Sequence, residues 1–491
     1  MNRSVPAAAP TLVLVLAVAA VLVLAGCAAP IADSSPTPNA GTGDGESADA
    51  GLDVRTGSLP IDGNETLDRT AAMLGVPIDP PVVHVDDSSA GGASGVRDPS
   101  SFDALVGMPF PDGNDVGDEL TVGGAASPFA AVYVAPADDS SAAEIEQVLA
   151  HELVHVAQFQ HRAPQEVRAG IPEAHRTTRD AELVVTSMTE GGAVYGSSAY
   201  TERYDLPIDP ESEILERLYP NASVGTKLVW GPYHYGAQYI DSVATDPESH
   251  WAVYEEPPAT MRQVLHGESG GGTGTGTGAL EPFEATLASD GSYDAGDWNR
   301  ARSETMGEFV VRLVLETELT AETSADAASG WVYDRQLRVA NADESLDGHA
   351  WSVRFEDAAN ASTYASALTS YLDARADSSE RAGNASTTTT SSGVVNATWY
   401  TDDYAFAVAA PDERTVTLLG GPEAFVEAAS VDVTADADVS LSVSDARDEN
   451  ATATTRSVAA PDLDPGPDPV VGAIAAQTPT NGMVAPERGS R

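Results

Sequence analysis

Residues 149–161 read LAHELVHVAQFQH. Within them His151, Glu152 and His155 spell H-E-x-x-H, and the apolar residues around them recur at helical spacing. At about 100° per residue, Ile145, Val148, Leu149, Glu152, Val156 and Phe159 share one stripe, with His151 and His155 together at its edge. Two imidazoles one turn apart can hold one zinc ion, and the carboxylate beside them can reach a water on that ion. Upstream, Ser141 and Glu144 have the S-x-x-E spacing of a capping box, which marks the helix start. With nine histidines and at most 75 glutamates in 491 residues, random order gives about 0.03 such matches, so the spelling is informative.

A catalytic zinc needs a third protein ligand. Glu190, in DAELVVTSMTEGGAVYGSSAY (180–200), shares a helical face with Leu183, Ser187 and Val194 and is the first choice. Gly191 and Gly192, costly inside a helix, make sense if this helix passes close to the metal helix. His161 ranks second: it stands where the longer H-E-x-x-H-x-x-G-x-x-H motif has its third histidine, but Gln158 holds the glycine position. Glu173 and His175 in AGIPEAHRTTRD rank third. For the oxyanion donor, GPYHYGAQY (231–239) offers Tyr233, His234 and Tyr235, of which His234 and Tyr235 are carried forward, and RQVLHGES offers His266. Tyr195 is a candidate for support behind the ligands.

The N-terminus sets the compartment. After MNRSVPAAAP comes the apolar run TLVLVLAVAAVLVLAG (11–26), and then Cys27, the only cysteine. The run has the form of a secretory signal, with a single membrane-spanning helix as the alternative. LAGC at 24–27 has the form of a lipobox, which makes Cys27 the first mature residue, lipid-bearing and held at a membrane surface. One cysteine excludes an intrachain disulfide. Sequons beginning at Asn64, Asn221, Asn360, Asn384, Asn396 and Asn450 fit a glycosylated exported surface.

Twenty-five basic against 75 acidic residues leave a net charge of -50, and Lys227 is the only lysine. Such a surface resembles that of proteins from extreme halophiles, where concentrated salt screens carboxylate repulsion. It also excludes nucleic acid as a partner, since no basic patch is present to meet phosphates. Oligomeric state is not written in the sequence.

Composition divides the chain into a signal (1–27), an acidic disordered tether (28–59), a metallopeptidase-like region (60–345) with a Gly/Thr-rich insertion (267–280), a small α+β domain (346–443) and a disordered tail (444–491). The region around the motif reads as mostly helical with a small sheet: ETLDRTAAMLG is helical, while PPVVHV and FAAVYVAP are strands. From Trp351 strands WSVRFED, VVNATWYTD, YAFAVAA and TVTLLGG alternate with helices ASTYASALTSYLDARA and PEAFVEAA. The fold class expected is therefore α+β.

The run HELVHVAQFQH followed by DAELVVTSMTEGGA resembles the H-E-L-x-H-A-L-Q-D-Q-type, gluzincin-like zinc metallopeptidase families of bacteria and archaea, in which an E-G-x-A segment follows at similar separation. GPYHYGAQYIDSV, HWAVYEEPPATMRQVLH, MGEFVVRLVL and SGWVYDRQLRV are similar to later segments of that group. The overall pattern is closest to haloarchaeal surface lipoproteins of unassigned function. Phe159, where Asp is usual, and the Gly/Thr insertion depart from the bacterial pattern without touching a proposed ligand. The resemblance implies a gluzincin-like fold, one zinc on His151, His155 and Glu190, Glu152 as general base, and a protein or peptide substrate. A surface lipoprotein that keeps the fold without catalysis, and a solute-binding or adhesive lipoprotein with an incidental motif, are the competing readings.

Overall fold

The computed structural model describes residues 14–15, 51–85, 100–109, 120–127, 131–136, 140–268, 280–288, 300–340, 347–381 and 397–443. In chain order the first elements are β1 (Leu14–Val15), β2 (Asp53–Thr56), α1 (Gly63–Leu74), β3 (Val82–Val85), α2 (Ser101–Leu105), β4 (Leu120–Ser127) and β5 (Ala131–Ala135). The helical section follows: α3 (Ala142–Gln160), α4 (Ala163–Gly170), α5 (Arg179–Arg203), α6 (Glu211–Leu218), α7 (Val224–Val243), α8 (Ala252–Glu255) and α9 (Met261–His266). The chain then runs β6 (Ala285–Leu287), β7 (Arg300–Glu304), α10 (Glu308–Glu316), α11 (Ala321–Ala328), β8 (Trp331–Ala340), β9 (Asp347–Phe355), α12 (Ala358–Arg375), β10 (Ser378–Arg381), β11 (Ala397–Tyr400), β12 (Ala405–Ala409), β13 (Thr415–Gly421), α13 (Glu423–Ala428), β14 (Ala429–Val433) and β15 (Val439–Val443). The fold is α+β.

The first sheet, ordered β1-β4-β5-β3-β2, lies beside α3. Leu149, Leu153, Val132, Val134, Met73 and Leu74 interlock between this sheet, α1 and α3 as one core. α3 begins as its sequence dictates: Ser141 accepts from the Glu144 amide while Glu144 reaches back to the Ser141 amide. Its surroundings differ from a simple amphipathic stripe, because every residue from Gln147 to Gln158 is buried. α3 is a central helix, sheet on one side and α5 on the other. Because β2 pairs with β3, ordered chain begins at least seven residues before the expected start at residue 60.

The second sheet is antiparallel and seven-stranded, ordered β10-β11-β12-β13-β9-β8-β7. The expected boundary at residue 346 falls inside it, between β8 and β9, so this unit begins at β7. β8, WVYDRQLRVA, is buried along nearly its whole length and lacks the alternation of a half-exposed strand. A third sheet, β14-β15-β6, shares a separate core with the second sheet through Tyr333, Leu419, Phe425 and Leu441. The main core runs without interruption from α5 and α7 (Val184, Met188, Ile240) through α10 (Phe309, Val310) to the second sheet and α12 (Trp331, Trp351, Leu368). Cys27, the insertion's residues 269–279, the tail from 444, and Asn384, Asn396 and Asn450 lie outside the described residues. Among the described residues no helix is long and apolar enough to cross a membrane.

Candidate metal centre

α3 and α5 pack side by side, which brings His151, His155 and Glu190 together. One ligand atom from each lies within 4.8 Å of the others, and all three residues are buried. Glu190 Oε2 is 3.2 Å from His155 Nε2 and 4.0 Å from His151 Nε2. The shorter approach is not aligned as a hydrogen bond: all three atoms, together with both carboxylate oxygens of Glu152, are buried without a hydrogen-bond partner. Leaving five such atoms unsatisfied in one place would cost several kcal/mol, on the order of 1–3 each, unless an ion and its water take them up. The group can hold a metal ion, and two imidazole nitrogens with one carboxylate oxygen suit zinc.

Each imidazole is oriented from behind. His151 Nδ1 lies 2.9 Å from Oε2 of Glu211 at the start of α6, and Ser197 Oγ donates to the same oxygen. His155 Nδ1 donates to Oε1 of Gln158, whose Nε2 in turn donates to Thr189 O and Tyr254 Oη. Both pairings fix the Nδ1–H tautomer and turn Nε2 toward Glu190. Burial opposes a charge on His151, yet Glu211, Glu152 and Glu190 together outweigh it and raise its pKa to about 9 in the metal-free protein. Burial likewise pushes Glu152 up to about 7; the two imidazoles oppose this and the carboxylates of Glu190 and Glu211 add to it.

Tyr233 on α7 completes the surround. It lies beside the Glu190 carboxylate, and burial followed by the charge of Glu190 raises its pKa well above the ordinary phenol value. The two neighbours expected as oxyanion donors lie elsewhere. His234 stacks on Tyr219 with ring centroids 4.5 Å apart and meets Gln238 Nε2 at 3.3 Å, and burial lowers its pKa to about 4. Tyr235 packs edge-on against Tyr219 and Phe309. On a helix adjacent residues point about 100° apart, so His234 and Tyr235 do not share the direction in which α7 presents Tyr233 to Glu190.

The lower-ranked ligand candidates are engaged elsewhere as well. His161 Nε2 meets Pro77 O, Glu173 is exposed, His175 pairs with Asp180, and His266 pairs with Glu308. Tyr195 faces His250. Gly191 and Gly192 do serve close approach, but to two partners: a Cβ on Gly191 would fall 2.3 Å from the Gly236 carbonyl carbon on α7, and one on Gly192 2.7 Å from Gln158 Nε2 on α3. Glu211 went unread because nothing local in DPESEILERL separates a buried carboxylate at a helix start from a solvated one; its neighbour Pro210 was the available mark of that helix start.

Residues 296–431 match the model of a family described as a domain of unknown function (DUF8575), which covers β7 to the first half of β14 and none of the metal-facing residues. No curated protein and no solved structure matches the chain.

Proposed function

We propose that this chain is a zinc metallopeptidase of gluzincin type, anchored by a lipid on Cys27 to the outer face of the cell membrane of an extreme halophile. The observation that supports it best is the convergence of three unpartnered buried ligand atoms, from His151, His155 and Glu190, with the neighbouring Glu152 carboxylate also buried and unpartnered. Three protein ligands rather than four would leave a bound ion open to water, as catalytic rather than structural sites do.

His151, His155 and Glu190 would hold the ion, which when bound supplies Lewis acidity toward water and a peptide carbonyl. Glu152 takes the proton of the attacking water and returns it to the leaving amine; a carboxyl raised toward neutrality suits both directions of transfer. Tyr233 keeps its proton beside the Glu190 carboxylate. Glu211 and Gln158 hold the imidazoles in the ligating tautomer. The acidic surface limits the protein's partners more than it selects a substrate sequence.

A second reading, a non-catalytic envelope or binding lipoprotein that retains the fold, has one observation in its favour: His151, Glu152 and His155 are each 0% exposed, so substrate reaches them only if a covering element moves. Metal content separates the readings from an incidental motif. The protein from residue 28 onward, purified in concentrated salt, should carry one zinc per chain; Glu190→Ala should lose it and Glu152→Gln should keep it. Cleavage of a casein-type substrate by the parent and not by Glu152→Gln then separates enzyme from binding protein. A parent that takes up no added zinc ends the peptidase reading.

A further inference from the structure

We propose that the sheet unit matching the domain of unknown function positions the metal helix α5, through two fully buried aspartates, Asp180 and Asp334, that hold residues 305–307 between them. The inference rests on the metal reading above.

Asp180 stands in the first turn of α5 and is 0% exposed. Its carboxylate accepts from His175 Nε2 at 2.8 Å and from the Met261 amide at 3.2 Å, while its own amide donates to Thr305 O. Gly307, at φ 86°, sits so close that a Cβ there would lie 1.9 Å from Asp180 Oδ1. On the sheet side Asp334 accepts from the Met306 and Gly307 amides, both at 2.9 Å, and from Nε1 of Trp331 and Trp351. Thr305 Oγ1 adds a bond to the Asp334 carbonyl. Residues 305–307 are thus fixed to the sheet by the Asp334 carboxylate and to the metal helix by the Asp180 amide, with the Asp180 carboxylate lying against Gly307 and held in place by His175 and Met261.

A buried carboxylate with every oxygen engaged tolerates little displacement, because a shift of a few tenths of an ångström leaves a charge without partners in a low-dielectric setting. Glu190 is ten residues beyond Asp180, about 15 Å along one helix. The helix is seated midway by the Gly191–Gly236 contact with α7, and α7 in turn packs on Phe309 of α10 through Gly231. The sheet unit therefore sets the depth at which α5 presents Glu190 to the histidines of α3. Its role here is to position a metal ligand in another part of the chain.

The test uses the full chain freed of metal and titrated with Co2+, whose visible ligand-field band reports ligand number and geometry. Asp180→Asn and Asp334→Asn should weaken cobalt binding by about tenfold or more, because a displaced α5 misplaces the Glu190 ligand, and should alter the band. Leu441→Ala, in the separate core under the third sheet, is the control for stability: compared at equal distance below its own melting temperature, it should bind cobalt with the parental band. If the carboxylate variants fail to fold, His175→Phe removes a donor to Asp180 and His175→Gln retains one, so the band should change in the first and recover in the second. Carboxylate variants that match Leu441→Ala in affinity and band overturn the positioning role and leave the metal reading standing. A parent with no cobalt band removes both.

Discussion

His151 Nδ1 and Glu211 Oε2 are 2.9 Å apart across sixty residues of sequence. A carboxylate behind a ligating imidazole raises its basicity and locks the ring. Glu211→Gln keeps the shape and one acceptor but removes the charge, so zinc affinity should fall by about 10–100-fold with the parental circular dichroism retained. Equal affinity in competition with a chromophoric chelator would show that His151 needs no anionic partner.

The same pair makes the metal-free protein sensitive to alkali. A base whose folded pKa is raised contributes stability that is complete below its unfolded value, about 6.5, and lost as pH rises through its folded value, about 9 for His151. Glu152, raised to about 7, binds a proton in the folded state that the unfolded chain has released, so it acts in the same direction between about 4.5 and 7. His234, His250 and His349, lowered by burial to about 4, act oppositely, but only below about 6.5. The interval from pH 7 to 9 thus belongs to His151. In chelator the melting temperature should fall across it, by the equivalent of a few kcal/mol, and Glu211→Gln should flatten the slope. A parental melting temperature that is level or rising over this interval would contradict the buried ion pair.

What the sequence could and could not disclose follows from the range of each interaction. The start of α3 is a four-residue event, Ser141 to Glu144, and was legible in full. The pairing of Glu190 with the two histidines required only helical phase in two segments, and the structure places those three residues together. Glu211, Gln158 and Tyr233 take their meaning from what stands opposite them in space. Gln158 was in view within the motif and was read only as the residue that displaces a glycine. The boundary at residue 346 followed a change of pattern along the chain, whereas β7 joins its sheet across two intervening helices, a pairing that periodicity cannot register.

Glycan occupancy should divide the described sequons. Asn64 and Asn221 are exposed. Asn360 is not free to react: its Nδ2, the atom a glycan would occupy, donates to Ser329 O at 2.9 Å, and Gly330 lies against the same amide. Mass spectrometry of tryptic and Asp-N peptides from the native host should find Asn360 bare. A glycan there would mean that this helix start is modified before it folds.

The α5–α7 contact gives the sharpest packing test. A Cβ on Gly236 would lie 2.1 Å from the Ser187 carbonyl oxygen, and one on Gly191 2.3 Å from the Gly236 carbonyl carbon. These neighbours are backbone and cannot rotate aside, so alanine at either position must push the helices apart. Alanine improves helix propensity by about 1 kcal/mol, but overpacking costs about 1–3 kcal/mol, and contact with backbone on both sides puts these sites at the upper end. Gly191→Ala and Gly236→Ala should each lower the melting temperature. Gly191→Ala should also weaken zinc binding, because residue 191 directly follows Glu190 on α5 and a shift of the helix there moves the ligand. If either alanine variant melts at or above the parental temperature, the two helices are not in backbone contact at this point.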